Sequence, residues 1–388
     1  MQTAVDEVLT DPSVNPFLFP APPSTRLQLS VIVPARNEAH HLTHTLDALR
    51  NQQDSAGNPL DPATYEVLLL VNNCTDHSYK VARQYQQTYS DFPLHISEIH
   101  LPATKANIGT VRRLLMDEAY RRLTISGSSN GIIASTDGDT VVDKHWIYYI
   151  MQEIAKGNDA VGGRILTHPE QSLVRLYHLR NVMYRTLVAR AEAILDPSSN
   201  DPWPRHFQHF GASIAVTCRV YDQAGRLPEK PYLEDEAFYK ALLRMDAKVR
   251  QSPHVKVFTS TRTDGRVDIG FSEQLRFWAN LDHSGKDQLV EPPAALILKF
   301  RNRQKLRAYW HNRSQATGLN DLTPIAQELC IDDQWLKIEL KMNPFFGQLW
   351  EKVEANMQQG QWSACWQLVP ITTAIQDLRT FLRPYIDA

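Results

Sequence analysis

The segment Gly131-Ile132-Ile133-Ala134-Ser135-Thr136-Asp137-Gly138-Asp139 joins a short apolar run to two aspartates one residue apart. An apolar run this short reads as a buried strand. In an extended backbone, residues i and i+2 point to one side, so Asp137 and Asp139 converge. Open α/β sheets bind ligands in the crevice beyond the carboxyl ends of their strands. Two carboxylates there suit Mg²⁺ or Mn²⁺, which takes a few carboxylate oxygens and leaves positions for phosphate and water. Gly138 between them permits close approach of backbone or ligand. The same letters also suit a plain polar turn after a strand, because Asp and Gly are common turn residues.

The flanking sequence supplies the rest of a sheet. Residues 27–33 read as a buried strand that ends at Pro34, with a turn at Ala35-Arg36-Asn37-Glu38. Leu42, Leu46 and Leu49 then share one helical face. A second strand over 66–71 stops at Asn72-Asn73-Cys74-Thr75-Asp76, and a helix over 77–89 follows. A strand over 94–100 and a helix over 107–123 lead into the aspartate strand. Strand–helix alternation with short turns predicts an α/β fold with a mainly parallel sheet. Further on, a strand over 160–166, a helix over 171–195, a helix over 235–245 and a strand over 255–260 are expected. From about residue 277 the chain reads as helical. The expected organisation is an extended N-terminal arm over 1–26, an α/β domain over 27–275 and a helical C-terminal module over 276–388.

The 388 residues are 43% hydrophobic and 22% charged, with a formal charge of -2. Such a balance gives no global attraction to nucleic acid. No apolar run has the length of a membrane span, and the acidic, proline-containing start is unlike a secretory signal. Four cysteines (Cys74, Cys218, Cys330, Cys365) lack metal-type spacing and are far apart. The expectation is a reduced, cytoplasmic protein without a disulfide framework. One segment, 297–310, carries Lys299, Arg301, Arg303, Lys305 and Arg307 among apolar and aromatic residues. A basic helix of this kind can lie peripherally on an anionic surface such as the inner membrane, or can be a solvated helix docked by its apolar side.

Other polar groups fall at the same strand ends. The Asn72–Asp76 turn offers amide donors and acceptors for a base or ribose, or an Asx-type cap for the next helix. Lys105 and Asn107-Ile108-Gly109-Thr110-Val111-Arg112-Arg113 add cations, and arginine recognises phosphate bidentately. Leu233-Glu234-Asp235-Glu236 opens a helix, where acidic residues favour the dipole but can also serve as a general base. Arg262 and Arg266 follow the last strand and suit a leaving diphosphate.

Val31-Ile32-Val33-Pro34-Ala35-Arg36-Asn37-Glu38, the Val71–Asp76 turn, 107–113, Asp137-Gly138-Asp139 and Leu233-Glu234-Asp235 occur in the order and approximate spacing of the inverting family 2 glycosyltransferases. The chain resembles that family over about residues 28–270. The resemblance implies a GT-A fold, the Rossmann-like nucleotide-diphospho-sugar transferase architecture. It implies that Pro34, Ala35, Arg36 and Glu38 line a nucleoside pocket, joined by Asn73, Asn107, Gly109, Arg112 and Asp137. It further implies metal on Asp139 with Asp137, Asp235 as catalytic base with Glu234 beside it, and Arg262 and Arg266 at the leaving group. The implied donor is a nucleoside-diphosphate sugar, UDP by default, and the acceptor a carbohydrate, small-molecule or lipid-linked hydroxyl. Residues 207–212 and 228–232 are candidate sugar and acceptor walls. Asn73 departs from the aspartate usual in the family, and the Gln-x-x-Arg-Trp motif of processive members is absent. Two alternatives are a sugar-phosphate nucleotidyltransferase, which would be expected to carry a Gly-rich loop after the first strand, and a catalytically silent nucleotide-sugar-binding protein.

Overall fold

A computed structural model describes residues 18–128, 130–167, 174–259, 287–313 and 322–385. Among these, the chain divides into two compact units. One contains Met1–Thr167, His209–Phe238 and His254–Ser260, the other His168–Gln208, Tyr239–Pro253 and Thr261–Ala388.

An eight-stranded sheet has the order β3-β2-β1-β4-β7-β6-β8-β5. β1 (Leu29–Ala35) pairs in parallel with β2 (Tyr65–Asn72) and with β4 (Ile132–Ser135), and β2 pairs in parallel with β3 (Leu94–Ile99). Both β1 and β2 are buried at every position, as expected of strands covered on two faces. The helices Leu42–Arg50, Ser78–Thr88 and Ile108–Ile125 are the crossovers between them. The α/β fold expected from the sequence is the fold found. Antiparallel pairing begins at β7 (Ile214–Thr217), which lies between β4 and β6 (Ala160–Thr167). β5 (Thr140–Val142) then pairs antiparallel with β8 (Val249–Thr259). β7 is a strand for which the sequence pattern gives no expectation.

Leu42, Leu46 and Leu49 are fully buried on one helix face, against Val31, Val33, Val67, Leu69 and Trp146 in the same core. Trp146 also donates its indole N–H to Ser213 Oγ at 2.9 Å, which satisfies the one polar atom that its burial strands.

The second unit is helical around Leu336, Leu340, Leu349, Val353 and Trp362. Its helix Pro293–His311 contains the basic segment noted above. Arg303 pairs with Glu192 and Asp196, and Arg307 with Asp196, whose side chain is fully buried. Lys299 pairs with Glu291 at 2.9 Å, and Lys305 approaches Glu328 at 3.9 Å. Most of the cations in that segment are therefore neutralised inside the unit. Among the described residues, no helix is long and apolar enough to cross a membrane.

Candidate active site

The carboxyl ends of β1, β2 and β4 carry three turns stitched together by side chains. β4 ends with Ser135 opposite Ile32, and Thr136 N–H continues the ladder to Ile32 O at 3.1 Å. The chain then turns, closed by Thr140 N–H on Asp137 O at 3.1 Å. A Cβ on Gly138 would stand 3.2 Å from Pro34 O and Glu38 Cγ and 3.3 Å from Ala35 Cβ. The lack of a side chain lets the aspartate turn sit on the turn after β1. Thr45 Oγ1 donates to Gly138 O at 3.0 Å and fixes that contact from the first helix.

The turns after β1 and β2 interlock. Asn37 adopts a φ of 53° and accepts from Thr75 N–H at 2.7 Å, while its own N–H donates to Cys74 Sγ at 3.0 Å. Asparagine tolerates this left-handed backbone better than most residues. Glu38 N–H donates to Ser78 Oγ at 2.7 Å, and Asp76 accepts from Ala39 N–H and Ser78 N–H at 3.0 Å each. Asp76 and Ser78, which the sequence reading did not place in the site, hold its shape. Their signal was the ordinary Asx and Ser/Thr turn chemistry before a helix.

Several predicted nucleotide residues have definite structural partners. Asn73, at φ 47°, uses its amide on both backbone groups of Leu101, at 2.8 Å to the O and 3.1 Å from the N–H. Asn107 is the N-cap of helix Ile108–Ile125, accepting from Thr110 N–H at 3.0 Å. A Cβ on Gly109 would collide with Lys230 O at 1.8 Å, so this glycine seats the helix against the 228–230 turn. Arg36 is exposed and donates to Ala106 O at 3.2 Å. Arg262 and Arg266 lie outside the described residues.

Arg112 is the centre of the arrangement. It is 3% exposed, donates from Nη2 to Asp137 Oδ1 at 2.7 Å, and forms an ion pair through Nη1 with Glu234, also 3% exposed. Its Nε–H has no hydrogen-bond partner among the described residues. Gly211 lies over the guanidinium, where a Cβ would come within 2.5 Å of Cζ and Nη1. The Gly211 N–H donates to Asp235 Oδ2 at 2.7 Å, and Glu236 N–H to Asp235 Oδ1 at 2.8 Å. The structure therefore brings Asp137, Asp139, Glu234 and Asp235 to one place and adds Gly211. Gly211 falls within 207–212, the stretch expected to wall the sugar.

Electrostatics follow from this crowding. Burial pushes the Asp137 carboxyl above its ordinary range, Arg112 opposes it, and the charges of Asp139 and Asp235 push it further up. A third of the Asp137 side-chain surface is still open to water, so the effect is partly screened. Mutual repulsion among three carboxylates is relieved by a cation or by protons. Among the described residues there is no group of three or more His, Cys, Asp and Glu side chains arranged to hold a metal. A divalent ion supported here by two aspartates would need phosphate oxygens and water to complete its shell, which suits Mg²⁺ or Mn²⁺.

Residues 30–227 match the family model described as Glycosyl transferase family 2, just over half of the chain. The chain belongs to glycosyl transferase family 2. The family match favours the glycosyltransferase reading over the nucleotidyltransferase alternative. Glycosyltransferase AglE of Haloferax volcanii is 28% identical to this transferase over 148 residues, which are 38% of this chain and 42% of AglE. The transferase thus spans less than half the length of that curated relative. Among solved structures, TarS 1–349 of S. aureus with UDP-GlcNAc is similar, with 15% identity and a TM-score of 0.45 over 86% of this chain and 92% of that one. So is the mannosyltransferase PcManGT of Pyrobaculum calidifontis with GDP-Man and Mn²⁺, with 15% identity and a TM-score of 0.44 over 99% of this chain and 88% of that one.

Proposed function

We propose that this transferase moves a sugar from a nucleoside-diphosphate sugar to an acceptor hydroxyl, with inversion at the anomeric carbon. The supporting observation is the convergence of Asp137, Asp139 and Asp235 at the carboxyl edge of the parallel strands. Arg112, Asp137, Glu234 and Asp235 are linked by contacts, with Asp139 in electrostatic reach. Asp139 and Asp235 both raise the cost of charge on Asp137, and a bound cation relieves such repulsion.

In this reading Asp139, assisted by Asp137, holds Mg²⁺ or Mn²⁺, which supplies neutralisation of the charge that develops on the departing diphosphate. Pro34, Ala35 and Glu38 form the wall of the nucleoside pocket beneath the aspartate turn, with Arg36 at its exposed rim. Asn73, Asn107 and Gly109 shape that pocket through their backbone partners. Asp235 takes the proton from the acceptor hydroxyl, whose oxygen attacks the anomeric carbon from the face opposite the diphosphate. Gly211 and Glu236 N–H groups orient its carboxylate for this. Glu234 is buried and committed to Arg112, so it acts as a positioning residue and Asp235 is the base. Arg262 and Arg266 are proposed for the leaving group, and UDP is the first donor nucleotide to try.

The test is calorimetric titration of the whole chain with UDP and with GDP, with and without Mn²⁺, for wild type and Asp139→Ala. Binding of one nucleotide that requires Mn²⁺ and weakens at least tenfold in the variant is the expected result. Equal binding with and without the metal, or an unchanged titration for Asp139→Ala, overturns the metal assignment.

A further inference from the structure

Cys330 and Cys365 stand 35 residues apart in the chain, yet their sulfurs lie 3.8 Å from one another. Cys330 follows the helix Thr323–Glu328 in a left-handed turn, at a φ of 57°, with its N–H on Gln327 O at 3.1 Å. Cys365 is the last residue of the short helix Trp362–Cys365. Trp362 and Trp366 flank it, with ring centroids 5.8 Å apart, and Trp362 is buried in the core of the second unit. Cys330 is half-buried and Cys365 exposed, so a small solute reaches Cys365 directly. Two segments anchored to one core hold the sulfurs at this separation, which makes their reaction an intramolecular one.

We propose that Cys330 and Cys365 form an oxidisable dithiol that closes to an internal disulfide on contact with a low-molecular-weight disulfide. The Cys365 thiolate attacks one sulfur of the oxidant and releases the first small thiolate, leaving a mixed disulfide on Cys365. The Cys330 thiolate then attacks Cys365 Sγ, forms the internal S–S bond and releases the second. Two cysteine thiols are oxidised, one small disulfide is reduced to two small thiols, and the two cysteine protons end on those thiols. The sulfurs need to close from 3.8 Å to about 2.0 Å. Burial, together with the neighbouring Cys365, pushes the Cys330 thiol up, which disfavours its thiolate and leaves the first attack to the exposed Cys365.

The other two cysteines are internal controls. Burial pushes the Cys218 thiol up to about 12, and a buried thiol of this kind is inert. The Cys74 sulfur is half-buried and accepts the Asn37 N–H. The dithiol inference rests on no part of the proposed transfer chemistry.

The experiment exposes the full-length chain to oxidised glutathione, traps remaining thiols by alkylation and maps the peptides by mass. Free thiols are expected to fall from the four of the sequence to the pair Cys74 and Cys218, with one cross-linked peptide joining Cys330 to Cys365. Cys330→Ser is expected to stop at a glutathione adduct on Cys365, while Cys365→Ser keeps Cys330 reduced. A wild-type chain that accumulates a stable glutathione adduct on Cys365, or that cross-links through Cys74 or Cys218, overturns the proposal. So does a chain that keeps all four thiols. If a serine variant fails to fold, the wild-type cross-link map decides alone.

Discussion

Replacing Arg122 by methionine removes the guanidinium that pairs directly with Glu66, a buried carboxylate between three strands. Arg122 is fully buried on the helix Ile108–Ile125. Its Nε and Nη2 donate to Glu66 at 3.0 and 2.6 Å, and its Nη1 donates to Ala21 O at 2.6 Å and Phe19 O at 3.2 Å. Glu66 on β2 also accepts from Ser30 on β1 at 2.8 Å, and His95 Nε2 on β3 lies 3.4 Å away. Burial alone would push the Glu66 carboxyl up, but the bonds from His95, Arg122 and Ser30 outweigh it and hold it at about 2 against an ordinary 4.5. That depression corresponds to about 3 kcal/mol of stability at neutral pH. Breaking a buried pair by removing one partner typically costs ~3–5 kcal/mol.

The sign of the pH dependence separates this account from a simple packing defect. A depressed carboxyl contributes stability that is present above about pH 4.5 and is lost as pH falls toward 2. In Arg122→Met the carboxyl keeps only His95 and Ser30 against its burial and is pushed up, so the variant's deficit is largest at pH 7 and shrinks on acidification. Urea unfolding read by amide exchange in β1 and β2 measures it. We expect a loss of ~3–5 kcal/mol at pH 7 and recovery of most of it in Glu66→Gln/Arg122→Met. A loss below ~1 kcal/mol at pH 7, or one that does not change between pH 7 and 4, refutes the reasoning.

Three further outcomes follow from the geometry. Asp235→Asn should lower turnover by ~10²–10⁴ while donor binding by calorimetry stays within about threefold, because a base is lost and no donor contact is removed; loss of donor binding with turnover intact contradicts the assignment. Gly211→Ala places a methyl against a guanidinium held by two carboxylates, so we expect a stability loss of ~1–3 kcal/mol by chemical denaturation, and a melting curve identical to wild type would show that the contact is not tight. Arg303→Met removes a cation shared by Glu192 and the buried Asp196, although Arg205 still reaches Glu192 and Arg307 still reaches Asp196. Its expected cost is ~3–5 kcal/mol, visible as faster proteolysis of the second unit, and an unchanged cleavage rate would argue against it.

The part of the fold that was legible is the part in which each strand and helix follows the last. β1 to β4 and their helices are local alternations of apolar runs and turns, and period and punctuation suffice to read them. The strand at Ile214–Thr217 was not legible, because its four residues gain strand character from pairing with β4 and β6, far away in sequence. The basic helix shows the same limit from the charge side. Its arginines at 303 and 307 read as a surface face, but their partners Glu192 and Asp196 are more than a hundred residues away.

Arg112 shows what a motif does and does not determine. Its segment reads as cations beside a nucleotide. Nothing local says that the guanidinium turns inward to Asp137, 25 residues on, and Glu234, 122 residues on. Arginine has a long stem and five donors in a fixed fork, so its partners are chosen by whatever the fold brings into reach. Gly211 reverses the case, because it contributes by having no side chain and so leaves no chemical signature to read. The aspartates follow β4 in a turn closed by Thr140 N–H on Asp137 O, so the extended i and i+2 geometry expected of them is not the backbone found. The group that positions them could not be read, because it exists only once β4, the Ile108–Ile125 helix and the start of the Glu234–Arg244 helix have met.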